Sequence, residues 1–244
     1  MKKFNWQIVV GLSLVILSGL FYLVDYLIYK EQFYIYFISD IAFLPVQVLL
    51  VTLIVNELMK MRERRALLKK MNMVIGSFFS EVGLYLFKSF RAYDINYEAI
   101  QKCVLVKKDW TEKEFSAAKK QLLMLAIKID SRNGDLETMK QFLTTKRGFL
   151  LGLLQNQNLL EHESFTELLW AVFHLTEELS YRTHFTDLPK SDYDHLSTDI
   201  KRAYIQLLLE WLGYMQHLQN QYPYLFSLAI RTNPFDPHAS VIIQ

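Results

Sequence analysis

The run Ile8-Val9-Val10-Gly11-Leu12-Ser13-Leu14-Val15-Ile16-Leu17-Ser18-Gly19-Leu20-Phe21-Tyr22-Leu23-Val24-Asp25-Tyr26-Leu27-Ile28-Tyr29 decides how the rest of the chain is read. It holds no Lys or Arg and a single acid, Asp25. At ~1.5 Å per residue these 22 residues reach about 33 Å as a helix, enough to cross the hydrocarbon core of a bilayer. A secretory signal peptide is the rival reading, because Lys2 and Lys3 precede the run. The run is too long for one, however, and no small-x-small cleavage site follows it.

After the polar break Lys30-Glu31-Gln32, the stretch from Phe33 to Asn56 is again free of Lys and Arg, interrupted only by Asp40, Pro45 and Gln47. A second span follows. It starts either at Phe33 or, after an aromatic segment lying at the outer interface, near Ile41. The second option is preferred, because Pro45 would then sit in the first turn, where a missing N–H costs little. Asp40 would stand near a helix N-terminus, where a carboxylate is favoured. Lys60, Arg62, Arg64, Arg65, Lys69 and Lys70 come immediately after this run, and Lys2 and Lys3 precede the first. The excess of basic residues places both termini in the cytoplasm and the Lys30 loop outside. The six basic residues of the cluster are also candidates for contact with anionic headgroups.

Composition supports a helical remainder. The chain of 244 residues is 52% hydrophobic, with only eight Gly and five Pro, and its mean hydropathy is +0.11. Few turn formers and many Leu, Ile, Lys and Glu favour long helices over a sandwich or barrel. The expected class is all-α: two transmembrane helices followed by a helical cytoplasmic domain. The expected division is a membrane region over 1–58 (spans about 8–29 and 33–58 or 41–58), a basic juxtamembrane helix over 59–92, a helical domain over 93–232 and an irregular tail over 233–244. Within the domain, Thr111-Glu112-Lys113-Glu114 is a capping box for a helix to about Asp130, and Asn133-Gly134 makes a turn with Asp135 as the next cap. Ser164-Phe165-Thr166-Glu167 repeats the box before a helix to Thr183. Ser191 or Asp192 caps a long helix to about Gln219, and Tyr222 to Ile230 adds another. Two prolines three apart keep Asn233 to Pro237 from being helical.

Several segments together resemble a family of uncharacterised prokaryotic two-span membrane proteins with a helical cytoplasmic domain. They are Asp40-Ile41-Ala42-Phe43-Leu44-Pro45, Met73-Val74-Ile75-Gly76-Ser77-Phe78-Phe79-Ser80-Glu81-Val82-Gly83, Tyr222-Pro223-Tyr224-Leu225-Phe226 and Arg231-Thr232-Asn233-Pro234-Phe235-Asp236. The resemblance runs the length of the chain. It implies the architecture and carries no activity or site residue.

The single Cys103 excludes an intramolecular disulfide and any cysteine-based zinc or iron–sulfur site. The formal charge of +2 gives no reason to expect a nucleic-acid partner. Asp25 and Asp40 are the main functional suspects, since an acid within a span costs roughly 2.5–3.5 kcal/mol at mid-bilayer unless it faces a bundle interior or water. Each could instead sit at the headgroup level, where that cost fades. On the first span Gly11, Val15, Ser18, Tyr22, Asp25 and Tyr29 share a stripe, with Gly11, Ser18 and Tyr22 as candidate helix-packing positions. Gly76 and Gly83 would let another helix approach the juxtamembrane segment, where a core-facing helix of the same subunit is a simpler reading than a coiled coil. Glu81, among aromatics, reads as a half-buried, paired carboxylate more readily than as a catalytic group.

Between Glu161 and Asp199 nine acids face only Arg182 and Lys190, and the stretch also holds His162, His174, His184 and His195. His174 and Glu178, four apart on one helix, are weak metal-ligand candidates. Against them, Phe165, Leu168, Val172, Leu175 and Leu179 form the apolar face of that helix, which leaves the His/Glu side to water. Nothing calls for a cofactor. The favoured reading is a non-enzymatic, self-associating membrane protein whose cytoplasmic domain binds a protein partner or senses a ligand, with the lipid bilayer and other copies of the chain as its other partners. A channel-like oligomer passing cations past Asp25 or Asp40 comes second, without a Thr-Val-Gly-Tyr-Gly filter. A membrane-bound metal-dependent hydrolase comes third.

Overall fold

The computed structural model describes residues 6–28, 33–156, 159 and 162–242, leaving aside the side chains of residues 6–11, Asp25, Phe33, Tyr36 and 64–72. Lys2, Lys3, Lys30 and Glu31, which carry part of the topology reading, lie outside the described residues. The chain is all-α. It divides into two compact units, Met1–Arg64 and Arg65–Gln244.

The first unit holds α1 (Trp6–Ile28) and the first part of α2 (Phe33–Phe78). Its apolar side chains are not gathered into a core: Val15, Phe21, Ile35, Leu49 and Ile54 are all more than half exposed. The start near Ile41 is corrected here, for α2 already begins at Phe33 and Pro45 lies inside it. Residues Phe33 to Ser39 contain no Gly or Pro to stop a helix. Proline at 45 removes one intrahelical N–H, at about 3 kcal/mol, whereas ending the helix would strand several backbone groups. Asp40 accordingly sits within the helix rather than near its N-terminus.

In the second unit α2 passes at Phe79–Gly83 into a π-helical segment and then into α3 (Leu84–Tyr93). The buried residues explain the π turn. Phe78, Val82, Leu86 and Phe90 recur every four residues and are all fully buried. On an α-helix four steps of ~100° overshoot a full turn by about 40°, so such a stripe drifts off its face. The wider π turn takes up part of that drift. Gly83 permits it, since a Cβ there would stand 2.6 Å from Cδ1 of Phe79. At Gly76 the group that approaches is the Tyr214 hydroxyl, 3.0 Å from where a Cβ would be. The glycines thus serve packing within the same subunit, and Ile75 to Tyr93 belongs to the domain core, the simpler of the two readings of this segment.

The remaining elements are α4 (Tyr97–Val104), α5 (Glu112–Met124), a 3-10 turn (Ser131–Asn133), α6 (Leu136–Leu154), α7 (Glu163–Ser180), α8 (Lys190–Gln221) and α9 (Pro223–Arg231). α8 is central: α5, α7 and α9 pack on it, and α7 packs on α6 on its other side. Leu196, Ile200, Ala203, Tyr204, Leu207, Trp211 and Met215 form its buried stripe at helical spacing. The Thr111–Glu114 capping box forms, as does the Asp135 cap, whose carboxylate accepts from the Thr138 N–H at 2.9 Å.

Three boundaries differ from expectation. α5 stops at Met124 rather than near Asp130: Leu125 leaves the helix at φ −70° and ψ 132°, the Ile127 N–H turns back to the Leu125 carbonyl, and Ile129 makes an isolated antiparallel bridge to Asp94. α7 is capped by His162, whose Nδ1 accepts from the Phe165 N–H at 3.3 Å, instead of by Ser164, and it ends at Ser180. α8 starts directly after Pro189. The tail is non-helical but docked. Phe235 is 1% exposed, packed edge-on against Phe87 with centroids 4.8 Å apart, and its carbonyl accepts from Gln101 Nε2 at 2.7 Å.

Candidate functional site

On α7 the buried face is the one the periodicity indicates, with Phe165, Leu168, Val172, Leu175 and Leu179 fully buried. The other side does not simply face water. α8 runs along its flank, so that His195 and Asp199, four apart on α8, meet His174 and Glu178, four apart on α7. Position 174 stands by 199 and 178 by 195, the register of antiparallel neighbours joined by a short connection. Among the described residues these four are the group of His and acidic side chains able to share a metal ion, one donor atom from each lying within 4.8 Å of all the others.

The contacts centre on Asp199. Its Oδ2 lies 3.5 Å from His174 Nε2 and 3.3 Å from His195 Nε2, while Glu178 lies 3.9 Å from His174 Nε2 through Oε1 and 3.5 Å from His195 Nε2 through Oε2. Asp199 is 2% exposed, whereas the two imidazoles are 45% and 48% exposed. Its Oδ1 accepts from Arg202 Nη1 at 3.1 Å, but its buried Oδ2 accepts no hydrogen bond from the described residues. Such an oxygen is costly to bury.

An outer layer holds the acids in place. Arg182 donates through Nη1 to Glu178 Oε2 at 2.9 Å and reaches Asp192 through Nε and Nη2 at 2.9 and 2.7 Å. Hydrogen bonds from this guanidinium hold the Glu178 and Asp192 carboxyls below their ordinary range. Glu178 is therefore a carboxylate at neutral pH. The other histidines of the acidic stretch are engaged elsewhere, His162 as the α7 cap and His184 beside the Thr183 hydroxyl at 2.9 Å.

The remaining candidates are placed as follows. Tyr22 donates its hydroxyl to Asp40 Oδ2 at 2.9 Å, and its ring stands edge-on to Phe37. Two of the suspected polar residues of the first unit are thus partners. Ser18 lines the same groove between α1 and α2, with Leu14, Leu17 and Phe21. Gly11 and Asp25 are on α1, but their surroundings lie outside the described residues. Lys60 and Arg62 are exposed on α2; Arg64, Arg65, Lys69 and Lys70 follow on the same helix, with side chains outside the description. Glu81 is a paired carboxylate, bonded to Lys146 of α6 at 2.7 Å, but it is exposed rather than half-buried. Cys103 is buried, which pushes its thiol up from the usual range.

Comparison with known proteins agrees with the division of the chain. Residues 67–231 match the family described as "Uncharacterized protein MJ1433, C-terminal helical domain", and residues 2–59 match "MJ1433, N-terminal helical domain". The chain is 43% identical to "Uncharacterized protein MJ1433" of Methanocaldococcus jannaschii over 246 residues, an alignment covering all of this chain and 98% of the relative. No solved structure matches. With both helical regions matched and one relative aligned end to end, the chain belongs to the MJ1433 family.

Proposed function

We propose that this is a self-associating integral membrane protein, anchored by α1 and the first part of α2, whose helical domain lies in the cytoplasm and binds a partner or senses a ligand without catalysing a reaction. One observation carries the anchoring. Eighteen consecutive residues within Phe37–Glu63 average a hydropathy of 2.2, and none of them is buried by the rest of the chain. Met73–Tyr93 is also long and apolar, its best eighteen residues averaging 1.2, but 44% of those are buried, as befits a core helix of a folded domain. An apolar surface the length of Phe37–Glu63 needs a lipid or protein cover. The basic residues from Lys60 to Lys70 support a cytoplasmic placement for the chain that follows them.

The Tyr22–Asp40 pair favours anchorage over a pore. A carboxylate already bonded within the unit has a reason to be there that does not involve a passing ion. The groove beside Ser18 is the surface on which a second copy would pack, since small and polar residues are what bring helices together in lipid. Expressed in a bacterial host, the chain should stay in the membrane pellet after alkaline carbonate washing. Ser18→Leu should lower the yield of cross-linked dimer, while Ile16→Leu, off that groove, should leave it unchanged. Release by carbonate would remove the anchor, and equal cross-linking of both variants would remove the packing surface.

A further inference from the structure

We propose that His174, Glu178, His195 and Asp199 bind one divalent transition-metal ion between α7 and α8. Two features that would be hard to explain separately are explained together. The first is spacing. Ligands about 2.05 Å from a four-coordinate ion stand about 1.63 times that distance apart, or ~3.3 Å. Three N···O separations that use one donor atom per residue, His174 Nε2 to Asp199 Oδ2, His195 Nε2 to Asp199 Oδ2 and His195 Nε2 to Glu178 Oε2, are 3.5, 3.3 and 3.5 Å, and one donor atom of each of the four residues lies within 4.8 Å of all the others. The three separations are too long for good hydrogen bonds and close to the edges of such a tetrahedron. The second is Asp199 Oδ2, buried without a hydrogen-bond donor among the described residues and 3.5 and 3.3 Å from the two imidazole nitrogens.

The donor set selects the class of ion. Two imidazoles and two carboxylates, with no thiolate, suit zinc, cobalt, nickel, iron or manganese in the divalent state rather than soft monovalent copper. Two carboxylates balance the ion's charge. Arg202 occupies the Asp199 oxygen turned outward, and Arg182 donates to Glu178 Oε2, the oxygen that also faces His195, so both guanidiniums stand where an outer layer orients metal ligands. Helical bundles likewise build carboxylate–histidine sites from side chains on facing helices. The half-exposed imidazoles leave the ion reachable from solvent, so it loads from bulk and exchanges. The site belongs to the helical domain and does not depend on the membrane reading.

The test uses the full chain, freed of any affinity tag and purified in detergent, stripped with chelator and then titrated with Co²⁺ alone or Zn²⁺ alone. One ion per chain should bind, and cobalt should show the intense visible bands of a four-coordinate site. His174→Gln, His195→Gln and Asp199→Asn should each raise the dissociation constant at least about tenfold, while His184→Gln should leave it unchanged. Asp199→Asn keeps the shape and the Arg202 contact; should it fail to fold, the two half-exposed histidine variants still decide. Absence of saturable one-to-one binding, or equal affinity in the parent and both histidine variants, would overturn the proposal.

Discussion

Replacing Gly134 by Ala probes the packing of the domain at one atom. Gly134 has φ −126° and ψ −178°, extended backbone that any residue can adopt, so conformational freedom is not why glycine stands there. Space is. An added Cβ would lie 2.4, 2.5 and 2.8 Å from Cε1, Cζ and Cδ1 of Tyr93, against ~3.5–4.0 Å for an unstrained carbon pair. Tyr93 is fully buried and cannot swing into solvent. Overpacking of this kind costs about 1–3 kcal/mol, offset by about 0.4–1 kcal/mol from the stiffer unfolded chain. The net expectation is a loss of about 1–2 kcal/mol, or roughly 2–8 °C in Tm for a chain of this size. Gly148→Ala is the counterpart. It is exposed in the interior of α6 with nothing within 4 Å of a new Cβ, so the same change should stabilise by about 0.5–1 kcal/mol. Thermal unfolding of the full-length variants, followed by circular dichroism in detergent, gives both signs in one experiment. A Gly134→Ala protein as stable as the parent would show that Tyr93 and Gly134 are not packed in this way.

Arg182→Ala removes hydrogen bonds to two partly buried carboxylates and should cost about 2 kcal/mol near pH 7. Because Arg182 depresses the native values of Glu178 and Asp192, its contribution is present above their unfolded values near pH 4 and is lost as pH falls through the native ones. Urea midpoints of parent and variant should therefore converge as the pH falls past the depressed native values of the two carboxyls, and a constant gap would contradict the linkage. Phe235→Ala, in the docked tail, should cost about 3 kcal/mol or more by emptying the space against Phe87 and Tyr97. An unchanged urea midpoint would mean that the tail is not part of the folded domain.

Much of the fold could be read from local pattern. The capping box at Thr111 and the cap at Asp135 are short-range chemistry and appear where their residues stand, as do the apolar face of α7 and the long helix before Tyr222. What was missed depends on partners distant in sequence. The end of α5 is set by pairing with Asp94, although Leu125, Ile127 and Ile129 alternate with Ala126 and Lys128, the period of a strand. The π segment was signalled only by apolar residues recurring every four positions from Phe78 to Phe90. The tetrad was half legible. A helical wheel puts His174 and Glu178 on one side of α7 but cannot say which flank a second helix covers. The clue was that α8 carries the same four-residue spacing in His195 and Asp199. Burial of Asp199 could not be anticipated, since it follows from how α8 lies against α7.

Topology is the most direct check on the membrane-anchored reading, and Cys103 makes it feasible. As the single cysteine, buried in the core, it should be silent to a membrane-impermeant maleimide in the folded protein. Glu31→Cys and Ser240→Cys each add one reactive thiol, one in the sequence between the two proposed spans and one in the tail. In intact cells Glu31→Cys should be labelled and Ser240→Cys should not; after the membrane is permeabilised, both should be. Labelling of Ser240→Cys in intact cells, or protection of both thiols there, would contradict a two-span anchor with its helical domain in the cytoplasm.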